Sequence, residues 1–190
     1  KKFVAESLNH LKLNHIVLKK NQFYKIKDLL ITSKTAMSGN YNEKILRNLI
    51  NRFKNNSELK NIPEKENIFI YRDSKIGRNI ENFTDIKPIL DKHKYEIIDF
   101  EKYSFSEKIS LLRGCRNLLG MFGSGLSNMI FLNEGSNLVE IRNENDHKNN
   151  AFFSLASACN LNYYYLFFKI SEKGCFLDPL TLDNLLKKLK

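Results

Sequence analysis

The sequence is short of several signals that would settle its class at once. Its three cysteines, Cys115, Cys159 and Cys175, are odd in number, widely spaced and without a C-x-x-C pair. That argues against a disulfide framework or a zinc knuckle and suits a reducing compartment. No apolar run approaches the roughly eighteen residues needed to cross a bilayer, and the first residues lack the blocks of a signal peptide. A cytoplasmic protein is expected. There is no internal repeat, no low-complexity tract, and no recognisable serine–histidine or cysteine–histidine nucleophile signature.

What is present is the composition of a folded chain. At 190 residues and 42% apolar side chains it can bury a core, enough for one full domain or one domain plus part of another. The net charge of +10 is spread as single lysines among asparagines and isoleucines, so it reads more as composition bias than as a nucleic-acid surface. Such a balance favours a phosphate-bearing ligand where arginines converge.

Residues 1–63 read as a helix through Leu11, β-like runs at His15 to Lys19 and Lys25 to Thr32, and a helix from about Asn42 to Asn56. After Asn61-Ile62-Pro63-Glu64 the pattern changes, and residues 64–190 alternate strands with helices. The strands are expected at Ile68 to Tyr71, Tyr95 to Asp99, Asn117 to Gly120, Leu138 to Ile141 and Tyr163 to Phe168. Ser104-x-x-Glu107 is a capping box, and Asp178-Pro179 opens a closing helix through Leu189. Strands apolar on both faces, separated by helices, require a Rossmann-like parallel sheet covered on both sides: an α/β fold. Ligands of such sheets sit beyond the carboxyl ends of the strands, near a topological switch point.

The turn Gly120-Met121-Phe122-Gly123-Ser124-Gly125-Leu126-Ser127-Asn128 leaves the third strand and opens an apolar helix. Gly123 and Gly125 allow a ligand close to the backbone, and Ser124 is placed to cap the helix while N–H groups point outward. With the helix dipole those groups form an anion site. The other reading is a tight turn whose glycines only permit close packing. Glu140 follows twenty residues after Gly120 at the expected end of the next strand, from which an acid reaches a ribose hydroxyl. Arg72 leaves the first strand, and Arg78 follows in a loop that bends at Gly77. Guanidinium groups match phosphate oxygens, and here they would neutralise a leaving diphosphate.

Taken together, Ile70-Tyr71-Arg72 with Arg78 and Asn82, Tyr95 to Asp99, Ser104 to Lys108, Gly120 to Asn128, Val139-Glu140-Ile141 and Leu161 to Tyr165 resemble glycosyltransferase family 61. That family includes bacterial capsular-polysaccharide biosynthesis proteins and sugar transferases of plants and animals. The resemblance is close over residues 64–168 and looser over 1–63. It implies the two Rossmann-like domains of a GT-B fold and an inverting hexosyl or pentosyl transfer. It also implies a nucleotide-sugar donor, usually a UDP-sugar, held by the C-terminal domain, a glycan acceptor, and neither metal nor other cofactor. The sequence has no Asp-x-Asp pair of the kind that holds Mn²⁺ against a diphosphate. On this resemblance residues 1–63 are part of an N-terminal, acceptor-side domain, and 64–190 the nucleotide-sugar-binding domain.

Two features depart from the family. Many members have histidine where Phe122 stands, and an upstream histidine-containing segment that helps build the acceptor side has no counterpart. The chain is therefore expected to be a fragment, a truncated form or a decayed copy. Arg72, Arg78, Gly123, Ser124 and Gly125 are the candidates for the diphosphate, and Asn82, Asn128 and Glu140 for the nucleoside or sugar. No base is assigned. His147, in the polar loop after the fourth strand, has a suitable pKa, but loop histidines are commonly solvated surface. Leu182, Leu185, Leu186 and Leu189 share one face of the last helix, for packing or for peripheral contact with the inner face of a membrane. The alternative to a transferase is a nonenzymatic basic module that binds nucleotide or nucleic acid, with Tyr163 to Tyr165, Phe167 and Phe168 as stacking rings. Their continuous apolar run instead suggests a buried central strand, so no nucleic-acid partner is expected.

Overall fold

A computed structural model describes residues 2–37, 39–55, 62–71, 79–146, 149–172 and 174–189. All five expected strands form: β1 (Asn67–Ile70), β2 (Glu96–Ile98), β3 (Asn117–Met121), β4 (Asn137–Asn143) and β5 (Asn162–Ile170). They run parallel, and a short β6 (Cys175–Phe176), not anticipated from sequence, returns antiparallel against the end of β5. The order is β2-β1-β3-β4-β5-β6. Leaving β1, the chain first adds β2 on one side and then returns to place β3 on the other, so the order reverses between β1 and β3.

Alternation along the strands feeds two cores. Ile68, Leu118 and Leu138 face one with α4 (Phe105–Arg113), α5 (Ala151–Ala158) and a 3₁₀ helix (Ser124–Phe131). Phe69, Leu119 and Val139 face the other, with α3 (Phe83–Lys92) and α6 (Pro179–Lys188). The capping box is complete, with the Ser104 N–H donating to Glu107 Oε2 at 2.8 Å. At α6 the Thr181 N–H donates to Asp178 Oδ2 at 2.8 Å. Of the apolar face of α6, Leu182, Leu186 and Leu189 are buried and Leu185 is half-buried against the core.

The strands begin on a row of asparagines. Asn67, Asn117, Asn137 and Asn162 are register partners. Asn162 Nδ2 donates to Asn137 Oδ1 (3.0 Å), Asn137 to Asn117 (2.6 Å), and Asn117 to Asn67 (2.6 Å). The row ends where Asn67 Nδ2 donates to the His93 carbonyl at 3.2 Å.

Among residues 1–63, α1 (Lys2–His10) and α2 (Glu43–Lys54) form as expected. Phe53 of α2 enters the first core, 5.2 Å from the Phe105 ring and 5.7 Å from Phe131, and His10 Nε2 donates to its carbonyl at 2.9 Å. The β-like runs His15 to Lys19 and Lys25 to Thr32 are not strands. Among the described residues no strand pairs with them, and a strand without a partner leaves its peptide groups unpaired. The expectation of a buried run at Tyr163 to Phe168 also needs correction. Along β5, β6 pairs only with Lys169 and Ile170, and Tyr165 and Phe167 remain 53% and 46% exposed.

Candidate functional site

The site is built where the strand order reverses. Ile70 at the end of β1 is the register partner of Gly120 in β3, and Gly120 in turn of Glu140 in β4. Gly120 serves packing: a β-carbon there would lie 3.0 Å from Leu126 Cδ2 and 3.4 Å from Ile70 Cβ. Beyond it the Phe122 N–H donates to the Ile141 carbonyl at 2.8 Å, and the chain then breaks from the sheet at Gly123, with φ 152° and ψ 176°. That conformation is essentially restricted to glycine.

The 3₁₀ helix that follows is anchored by Leu126, Met129 and Phe131, all buried. Leu126 N–H donates to the Gly123 carbonyl at 3.0 Å and Asn128 Nδ2 to the Gly125 carbonyl at 2.8 Å. Among the described residues the N–H groups of Gly123, Ser124 and Gly125 find no acceptor. The cap assigned to Ser124 is not made. Gly123 is the N-cap, so Ser124 lies inside the first turn and its hydroxyl does not reach back over the orphan donors. Nothing in the turn competes with an anion for them.

Beside the turn, at the carboxyl ends of β3, β4 and β5, opens a cleft of about 650 Å³. Phe122, Asn143, Asp146, Phe168 and Glu172 are among its walls. Phe122, where many family members carry histidine, thus faces the cleft, its ring also 5.3 Å from Phe152. Asn143, Asp146 and Glu172 escaped the sequence reading. The signal available was their position at or just after strand ends, which a longer β4 and β5 would have placed correctly.

The other candidates divide. Arg72, Arg78 and His147 lie outside the described residues. Asn82 is buried with its amide fully used: Nδ2 donates to the Leu177 carbonyl at 2.8 Å and Oδ1 accepts from the Leu177 N–H at 3.1 Å. It brackets the start of α3 to the approach to α6. Asn128 fastens the 3₁₀ helix. Glu140 is not at a strand end, because β4 continues to Asn143, and it is 1% exposed. One carboxylate oxygen accepts from the Tyr163 hydroxyl, and the other has no partner among the described residues. Burial pushes its pKa up, opposed by the Tyr163 hydrogen bond and by Arg142. Arg142 ties the loop after β4, its Nη2 donating to the Asp146 and Asn149 carbonyls at 2.6 and 2.8 Å. All three cysteines are buried and free, and burial pushes the Cys115 thiol up to about 12 and Cys159 to about 11, which leaves those two thiols protonated and inert.

The sequence profile of the family Glycosyltransferase 61 matches residues 3–139, from α1 into β4 and across the whole glycine turn. The chain belongs to glycosyltransferase family 61. The match begins at residue 3, so α1 and α2, looser in resemblance, fall within the extent of the family as the strands do. No curated protein matches the chain. Membership makes it a glycosyltransferase at the level of its family, with a sugar donor and an acceptor as partners.

Proposed function

We propose that this family 61 chain is the donor-binding part of an inverting, metal-independent GT-B glycosyltransferase that uses a UDP-sugar to build capsular or surface polysaccharide. Residues 64–190 form the nucleotide-sugar domain, and residues 1–63 belong to the acceptor side. The observation that carries the reading is the set of unpaired N–H groups at Gly123 to Gly125, at the point where strand order reverses. Oriented backbone donors at such a point suit a diphosphate. Arg72 and Arg78, in the stretch joining Tyr71 to Asn79, supply the compensating cations. The Asp146 and Glu172 carboxylates repel phosphate, so the cleft takes the uncharged end of the donor, whose hydroxyls donate to them.

In this scheme the acceptor hydroxyl attacks the anomeric carbon from the side opposite the diphosphate, and a base takes its proton as the new bond forms. The diphosphate leaves with its growing charge held by the turn and the arginines. The chain works in the cytoplasm, at the inner face of the membrane.

The test is a titration of the chain with UDP, other nucleoside diphosphates and an unrelated oligonucleotide, read as melting temperature. Ligand at a hundred times its dissociation constant stabilises by about 2.7 kcal/mol. Arg72→Ala and Ser124→Pro should abolish or weaken the response to one diphosphate. Proline is tolerated at the first helical position and removes a single N–H, so Ser124→Pro should fold and bind about 10- to 100-fold more weakly, the loss of one charge-assisted hydrogen bond. Unchanged affinity in Ser124→Pro would refute the turn as the phosphate site. A stronger, salt-sensitive response to the oligonucleotide would favour a basic nucleic-acid module instead. The observation on that side is the exposed strip of Tyr165 and Phe167, with ring centroids 5.1 Å apart.

A further inference from the structure

Residues 13–34, between α1 and α2, carry an inference that does not depend on the nucleotide site. They contain no helix or strand, and their apolar side chains stand in solvent: Ile16 is 89% exposed, Phe23 106%, Leu30 90% and Ile31 78%. The stretch is organised around a turn, in which the Lys19 N–H donates to the Tyr24 hydroxyl at 2.9 Å and that hydroxyl donates to Gln22 Oε1 at 2.8 Å. An apolar run flanks the turn on each side. Large apolar side chains left this exposed in one short segment mark an interaction site.

The charges say which kind. Residues 12–34 carry six lysines (12, 19, 20, 25, 27 and 34) and a single acid, Asp28. Protein interfaces exclude lysine from their centres, and nucleic-acid platforms need stacked rings where this stretch offers mainly aliphatic side chains. A surface of anionic lipid accepts both components at once. We propose that residues 13–34 seat the chain on an anionic membrane surface, aliphatic side chains and Phe23 entering the acyl boundary while the lysines meet the headgroups. The backbone stays at headgroup depth, because lipid offers its unpaired peptide groups no hydrogen bonds. Among the described residues no helix is long and apolar enough to cross a membrane. The other basic amphipathic candidate, α6, has Leu182, Leu186 and Leu189 buried in the core, which leaves it little apolar surface to offer.

The test sediments the 190-residue chain with phosphatidylcholine vesicles, with and without phosphatidylglycerol. Binding is expected only with the anionic lipid, lost at high salt, and weakened about tenfold or more by Phe23→Asp with Leu30→Asp. The substituted side chains are exposed, so the double variant should melt as the parent does. The chain has no tryptophan, so Phe23→Trp provides a single emitter whose fluorescence should shift to the blue on anionic vesicles. Failure to bind these vesicles, or binding indifferent to the double substitution, overturns the proposal. So does self-association, or tighter binding to an oligonucleotide, that the same substitutions abolish. Those results would assign the surface to a second copy of the chain or to nucleic acid.

Discussion

Gly123 and Gly125 flank one serine and do different work. Gly123 holds φ at 152°, whereas a β-carbon on Gly125 would meet only Ile70 Cγ2, at an ordinary 3.5 Å. Gly123→Ala should therefore cost about 1–3 kcal/mol in urea unfolding. Gly125→Ala should leave stability level or raise it by up to about 1 kcal/mol, because alanine restricts the unfolded chain. Equal losses would mean that the turn is not strained where the backbone angles place it. The break from strand to helix at Gly123 was legible in sequence because glycine spacing after a strand has few backbone solutions. The facing of single polar residues was not. Asn82 spends its amide on Leu177, 95 positions away, and Glu140 is covered once β4 runs on to Asn143. Leu177 and Tyr163, the partner of Glu140, both lie outside the local window from which a periodicity is read.

At the scale of elements, the caps of α4 and α6 were legible, whereas the cap at Ser124 and the strand ends were not. Ser104 and Asp178 start helices where the spacing to Glu107 and the following Pro179 say they should, since a cap closes within one turn. Strand ends depend on a neighbour: β4 extends to Asn143 by pairing with Phe167 and Phe168 of β5, and β5 extends to Ile170 by pairing with β6. A contact between elements yields the pH prediction. Asp183 of α6 receives Lys187 from its own helix, and Lys92 and His93 Nε2 from the end of α3, the last at 2.7 Å. Hydrogen bonds from Lys187, His93 and Lys92 hold its carboxyl well below the usual carboxylate range. A folded pKa below the unfolded value of about 3.9 gives stability that is complete above that value and lost as pH falls beneath it. Asp183→Asn should therefore lower the melting temperature at neutral pH and lose that deficit in acid. A deficit that persists at low pH would mean that the side chain acts through packing.

Across the whole molecule, α1 and α2 share a core with the strands, which sets an expectation for unfolding. Phe53 packs edge-on against Phe105 and Phe131, and Phe53→Ala should cost about 3–5 kcal/mol while keeping a single transition by circular dichroism and tyrosine fluorescence. Two separate transitions would detach the first sixty residues from the sheet as an independent unit. The sheet itself carries a molecule-wide device at the end away from the turn. All four amides of the asparagine row donate in the same direction, from β5 through β4 and β3 to β1 and on to the carbonyl that closes α3. A row with one direction has no neutral single replacement at Asn67, Asn117 or Asn137: changing any of these strands a donor on one side and an acceptor on the other, and changing Asn162 strands the Asn137 acceptor. The strand starts are thus coupled along one line of amides, and a change at Asn67, Asn117 or Asn137 is felt from β5 to the end of α3.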